Sequence, residues 1–367
     1  MAEDEEELDA SAFAATAGFD FDVVEYEQVH EVSSDLLKGQ LRDLLRWRTE
    51  HACSPCSSMH HSTLHTMHAA KDGGAFLRVY DETKRCTLLV VAFAALAGSA
   101  HRGGENVVAK YEFVGACQRS GCSHALFAKD VRESWYLFGL NDGTSPPSDF
   151  AAVVCAIEAE LQALQPKRVL MVGASMGGYA AIRSALTLSE KMGRSAAAGA
   201  PCAFHGAISV LVFAPQIFIE PEERAQLKLS PMAFDSDLRR AKERWRAESA
   251  DPSQLLLPSA ADLLLEAFKT GGQLIDHDVA RAGADRPSLA STRCPSCDIH
   301  VHVGSLAAGD VREAMLLREA SRVTGKADCN VHIHRRLGHL LVRDLRESGL
   351  LDEILGRYVT ESEGSED

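Results

Sequence analysis

Gly173-Ala174-Ser175-Met176-Gly177 places a serine midway between two glycines, at a point where the character of the chain changes. Residues 169–172 before it are short, apolar and rich in branched side chains, as a buried parallel strand is. Residues 180–188 after it read as a helix. A serine between a strand and a helix at this spacing has to sit on a very tight turn. Small residues two before and two after it let strand and helix pass close together, so the hydroxyl projects above the sheet edge. The backbone N–H of Met176 then lies at the start of the helix, aimed where the oxygen of a bound carbonyl would be.

A dinucleotide-binding turn competes for the same residues, because residues 173–179 approach a G-x-x-x-G-x-G pattern. Tyr179 breaks it where a glycine is needed for close approach to a pyrophosphate. The Tyr-x-x-x-Lys that should come later in such a chain has its only match earlier, at Tyr80 and Lys84.

With G-x-S-x-G between strand and helix, the chain resembles the α/β-hydrolase family, and Ser175 looks like that family's nucleophile. Residues 207–213, ending in Ala214-Pro215-Gln216, are similar to an uncharacterised hydrolase-like group within it. The resemblance covers residues 75–358. It implies a mainly parallel sheet flanked by helices on both faces, with a partial helical cap. It also implies the chain order Ser, acid, His, which Ser175, Asp310 and His339 supply. In these roles Ser175 attacks a carbonyl, His339 takes and returns its proton, and Asp310 holds the imidazole. The competing role for Asp310 is a plain N-cap of a helix over 311–323; for His339 it is a surface position where the final helix, 340–345, begins. Asp276 and Asp278 are rival acids. The family takes its second oxyanion N–H from the loop after the strand at 87–93. The common His-Gly start is missing there, and Ala94 or Ala95 is the expected donor, together with Met176.

Elsewhere the chain divides by composition. Residues 1–30 are acidic and expected to be a disordered tail; residues 20–32 show no firm element. Residues 31–70 hold a helix over 34–48 and a Cys/His-rich linker. The resemblance implies an α/β-hydrolase domain over residues 71–359, with a cap expected at 232–292, and 360–367 is a second acidic tail. Residues 75–80 and 85–93 flank Asp81-Glu82-Thr83-Lys84 and read as a hairpin. Residues 123–127 read as a short strand. Asp130, Ser134, Trp135 and Tyr136 beyond it suit a pocket rim or core packing. Residues 149–164 have helical spacing, and 299–303 and 330–334 alternate as strands carrying His300, His302, His332 and His334.

The linker holds Cys53, Cys56, His60, His61, His65 and His68, which are zinc-ligand residue types. The gap between the cysteine pair and the first histidines is shorter than in zinc fingers, so no native metal site is expected. Cys294 and Cys297 read as structural thiols. No P-loop or second site suggests a cofactor.

The net charge of −14 across 367 residues disfavours a nucleic-acid partner, which would need a basic face. The longest apolar run, residues 88–97, is too short to span a bilayer. The acidic start is not a secretory signal. Ten cysteines in a chain of this length do not make a disulfide scaffold, so a cytoplasmic setting is expected. The expected partner is a small-molecule or acylated substrate. Esterase, thioesterase, amidase and acyltransferase share one catalytic constellation, and a hydrolase-like binding protein without turnover is the alternative.

Overall fold

Uninterrupted branched apolar runs have no polar face to turn to water, so they fold into strands covered on both sides. In the computed structural model, β3 (Leu88–Phe93) is buried at every position, and β5 (Arg168–Ala174) at all but its first. The residues described are 23–25, 34–51, 76–96, 111–130, 132, 134–140, 149–198, 204–229, 235–248, 256–269 and 297–360. Among them β1 (Val23–Glu25), β2 (Phe76–Tyr80), β4 (His124–Ala128), β6 (Ala207–Phe213), β7 (Cys297–Gly304) and β8 (Ala327–His334) complete an eight-stranded sheet. Its order is β1-β8-β7-β6-β5-β3-β4-β2. The six inner strands are parallel; only the edge pairs β1–β8 and β2–β4 are antiparallel.

Helices cover both faces, as expected. One face packs under α1 (Ser34–His51), α3 (Phe150–Leu164), α4 (Met176–Ala197) and α8 (Ala308–Thr324), through residues such as Leu41, Ile157, Ile182 and Leu316. The other packs under α2 (Val114–Arg119), α9 (Leu341–Glu347) and α10 (Leu350–Thr360), through Ala116, Leu345 and Leu355. Helix α5 (Pro221–Gln226) follows β6, and α6 (Asp235–Glu248) and α7 (Asp262–Lys269) both lie within the range 232–292 expected as a cap. Leu264 and Leu265 of α7 are fully buried in the main core, and Asp262 pairs with Arg48 of α1 at 2.5 Å. This helix therefore belongs to the layer on the sheet. Rivals Asp276 and Asp278, the second C-x-x-C up to residue 296, and the whole Cys53–His68 segment lie outside the described residues.

Three local expectations are corrected. Residues 75–93 do not form a hairpin: β2 pairs with β4, because both flanks of β3 are taken by β4 and β5. The turn chemistry is real, since Asp81 accepts from the Thr83 N–H at 3.1 Å and from the Lys84 N–H at 3.0 Å, but it sends the chain to a different neighbour. Residues 20–32, read as having no element, contain β1, a three-residue edge strand on β8. The helix after Ser175 runs 22 residues, well past the nine residues, 180–188, read from sequence.

β3 leads to β4 on one side, and β5 lies on its other side. In open α/β sheets such a reversal leaves a crevice beyond the carboxyl ends of the strands, where ligands bind. Ser175 follows β5 at that crevice.

Candidate active site

Ser175 adopts φ 49°, a left-handed conformation that a non-glycine residue takes only when its surroundings impose it. Here they do. Its N–H donates to the Phe213 carbonyl at 3.0 Å, and its carbonyl accepts from the Gln216 and Tyr179 N–H groups, each at 3.2 Å. The glycines of the motif allow the close approach. A β-carbon on Gly173 would stand 2.2 Å from the Gly177 carbonyl oxygen, and one on Gly177 would stand 2.2 Å from that of Phe93. Those contacts bring the start of α4 against the end of β3, so the Met176 N–H and the Ala94–Ala95 peptide belong to one neighbourhood.

Asp310 and His339 reach Ser175 from the segments that follow β7 and β8. β7 and β8 are adjacent and in register, Gly304 opposite His334, so the loops that follow them emerge side by side. A β-carbon on Gly304 would lie 2.2 Å from the Leu337 carbonyl oxygen, so only glycine lets the two loops touch. Ser305 donates to the His334 carbonyl at 2.9 Å, and Leu306 to that of Leu337 at 2.9 Å. As a result the Asp310 Oδ2 atom lies 2.7 Å from His339 Nδ1, and His339 Nε2 lies 3.3 Å from Ser175 Oγ. A carboxylate accepts only, so Nδ1 carries the proton and Nε2 is left to accept from the serine hydroxyl. Asp310 is 3% exposed, while His339 and Ser175 are half-buried. The three side chains singled out in the sequence are thus brought together in one chain of contacts.

Two details differ from the sequence reading. Asp310 is not the N-cap: α8 begins at Ala308, its cap position is Ala307, and no side chain caps it. Asp310 lies in the first turn, where the helix dipole favours a negative charge. His339 precedes α9 in the loop, with Leu340 at the cap position.

The expected oxyanion donors separate. The Ala94 N–H is already in the sheet, donating to the Ala128 carbonyl at 3.0 Å, so it is not free to bind a substrate oxygen. The Ala95 N–H is outside the sheet ladder and donates at 2.8 Å to Oε2 of Glu112. The Met176 N–H lies in the first turn of α4, where a helix leaves its N–H groups without intrahelical partners. Sequence reasoning missed Glu112. It returns to the site from beyond residues 97–110, and no spacing rule links it to Ala95. Burial raises its carboxyl above the usual carboxylate range, opposed by the Ala95 hydrogen bond and the charge of Arg346.

Trp135 and Tyr136 have zero exposure and are core residues, which settles their role against a pocket rim. Both have positive φ, 56° and 59°. Asp130, buried beneath them, accepts the N–H groups of Arg132, Ser134 and Tyr136 and stabilises that strained turn. The Tyr136 hydroxyl donates to the Ala94 carbonyl at 3.0 Å, which positions the loop carrying Ala95.

Beneath the acid and base loops, β7 and β8 stack four histidines. His302 Nδ1 meets His334 Nε2 at 2.9 Å, and His300 Nδ1 meets His332 Nε2 at 3.1 Å. Among the described residues no group of three or more His, Cys, Asp or Glu side chains could hold a metal. Burial drives His332 and His334 down to about 4, aided by the positive charge that a neighbouring imidazole would carry, and drives His302 down as well. The unfolded value is near 6.5. A base whose folded value is depressed contributes stability above the unfolded value and loses it as pH falls towards the folded one. His334 alone, 1% exposed, should cost about 3 kcal/mol by pH 4. The melting temperature should therefore hold from pH 8 to 7 and drop between pH 6.5 and 4, with a shallower drop in His334→Gln. An equal drop in both proteins would show that this imidazole does not contribute.

Comparison with known proteins agrees with this architecture. A family model described as "Alpha/beta hydrolase family" matches residues 117–347, well over half of the chain. No curated protein matches. Similar solved structures include MenH from S. aureus, at 13% identity and a TM-score of 0.40, with 79% of this chain and 99% of that one covered. A hormone-sensitive lipase from a metagenome library has 13% identity and a TM-score of 0.44, over 89% and 98%. Carboxyl esterase 2 from the fungus Tuber melanosporum has 12% identity and a TM-score of 0.41, over 75% and 78%. Among the described residues no helix is long and apolar enough to cross a membrane. With the Ser175 turn at the reversal of a parallel sheet and the family match spanning the elbow, Asp310 and His339, the chain belongs to the α/β-hydrolase family.

Proposed function

We propose that the protein is a serine hydrolase acting on an acyl ester or thioester through a covalent acyl-enzyme on Ser175. The observation that carries this reading is the pair of contacts Ser175–His339 and His339–Asp310, at 3.3 and 2.7 Å. Ser175 Oγ attacks the carbonyl carbon and His339 Nε2 accepts its proton. The resulting imidazolium faces the Asp310 carboxylate and then returns the proton to the leaving alcohol or thiol. Water repeats the sequence to release the acid; an acceptor alcohol or amine in its place would make the same site an acyltransferase. No step calls for a metal or cofactor.

Oxyanion stabilisation falls to the Met176 and Ala95 N–H groups. In the resting site Glu112 stands on the second of these, so the acyl oxygen must take its place. That same contact is the observation favouring the alternative reading, a hydrolase fold that binds without turnover. Fluorophosphonate labelling separates the two. A hydrolase labels at Ser175; a protein whose donor is permanently blocked does not label. Glu112→Ala should label about tenfold faster than wild type near pH 8, the effect of removing one competing hydrogen bond of about 1.4 kcal/mol. A slower Glu112→Ala would mean that the carboxylate supports the loop and does not obstruct it.

A further inference from the structure

Helix α2 ends in a Schellman turn. Gly121, at φ 77°, donates to the Gln118 carbonyl at 3.1 Å, and Cys122 donates to the Cys117 carbonyl at 3.0 Å. In this motif the two residues joined by the longer bond have their side chains in contact, usually as an apolar pair. Here both are cysteines, and the 3.0 Å backbone bond holds the two residues together. Cys117 is 2% exposed and Cys122 is partly exposed, so one sulfur meets solvent and the other waits behind it. Both are reduced thiols. The neighbouring Cys117 lowers the Cys122 thiol below its usual range, and Cys122, with burial, raises that of Cys117. A partly exposed cysteine with a second, buried cysteine held behind it is the arrangement of an oxidant-sensing thiol and its resolving partner.

We propose that Cys117 and Cys122 are a redox modification site that closes to a reversible disulfide when a hydroperoxide reaches Cys122. The Cys122 thiolate attacks the peroxide, forming an S–O bond and breaking O–O. This leaves Cys122 sulfenic acid and, from hydrogen peroxide, hydroxide. The Cys117 sulfur then attacks the Cys122 sulfur, S–O breaks, and the departing hydroxide takes the Cys117 proton as water. The peroxide is reduced by two electrons, which come from the two thiols. The new bond fixes the C-terminal turn of the helix that begins two residues after Glu112, so the modification acts on the segment that reaches Ala95.

The site is independent of the catalytic reading and is tested without activity. The full-length protein is treated with stoichiometric hydrogen peroxide, remaining thiols are alkylated, and the product is digested with trypsin. Cleavage after Arg119 puts Cys117 in residues 111–119 and Cys122 in residues 120–129, so the disulfide appears as a linked peptide pair. The expected result is that pair at high yield, its disappearance after dithiothreitol, and full alkylation of exposed Cys155 in the same sample. Cys122→Ser should leave Cys117 reduced under the same dose. Both cysteines remaining alkylatable, oxidation of Cys122 to sulfinic acid without linkage, or its linkage to a different cysteine would each overturn the proposal.

Discussion

If Ser175 is the nucleophile proposed, Ser175→Ala is expected to lower turnover of an acyl ester by about a millionfold and to abolish fluorophosphonate labelling, as loss of the nucleophile does in a known serine hydrolase. The size follows from what is removed: the atom that forms the covalent intermediate has no substitute within reach. Stability should hardly change. The strain of the turn is carried by the backbone at φ 49° and by three backbone hydrogen bonds, and alanine keeps all of them. Among the described residues the deleted oxygen has one hydrogen bond, the 3.3 Å contact to His339. Melting temperature and labelling, measured on the same preparation, therefore separate loss of chemistry from loss of fold. A variant that still labels at wild-type rate would place the nucleophile elsewhere.

The parts of this site legible in the sequence are those whose geometry is local. The spacing of Gly173, Ser175 and Gly177 between a branched run and a helix calls for a tight turn, and the close contacts of both glycines show why. His339 and Asp310 were legible only through the chain order implied by the family resemblance, because nothing in either residue's neighbourhood announces a partner 29 residues away. The misread features are nonlocal. The Asp81 turn looks like a hairpin in any window around it, and only competition for the edges of β3 decides otherwise. β1 is three residues long and exists because the edge of β8 accepts it. Glu112 has no periodicity to betray it. Composition leaves Trp135 and Tyr136 open between rim and core, and the buried Asp130 carboxylate, accepting from the turn's N–H groups, holds both inward.

Asp310→Asn tests the acid. The Asp310 oxygen sits 2.7 Å from His339 Nδ1, and a carboxylate there fixes the proton on Nδ1 and leaves Nε2 basic towards Ser175. Asparagine fills the same space but can present its NH₂ group to Nδ1. The imidazole then carries its proton on Nε2, facing the serine, and has no lone pair to take the hydroxyl proton. Neutralising the carboxylate also removes the charge that stabilises the imidazolium. Together these should lower turnover by about four orders of magnitude. The stability cost should be small, because Asp310 does not cap α8; that position is Ala307, and no side-chain bond is lost there. A capping aspartate would behave in the opposite way, with stability down by about 1 kcal/mol for Asp310→Ala and chemistry intact. Turnover and melting temperature of Asp310→Asn and Asp310→Ala decide between the roles, and a variant with full turnover would remove Asp310 from the mechanism while leaving Ser175 and His339 in it.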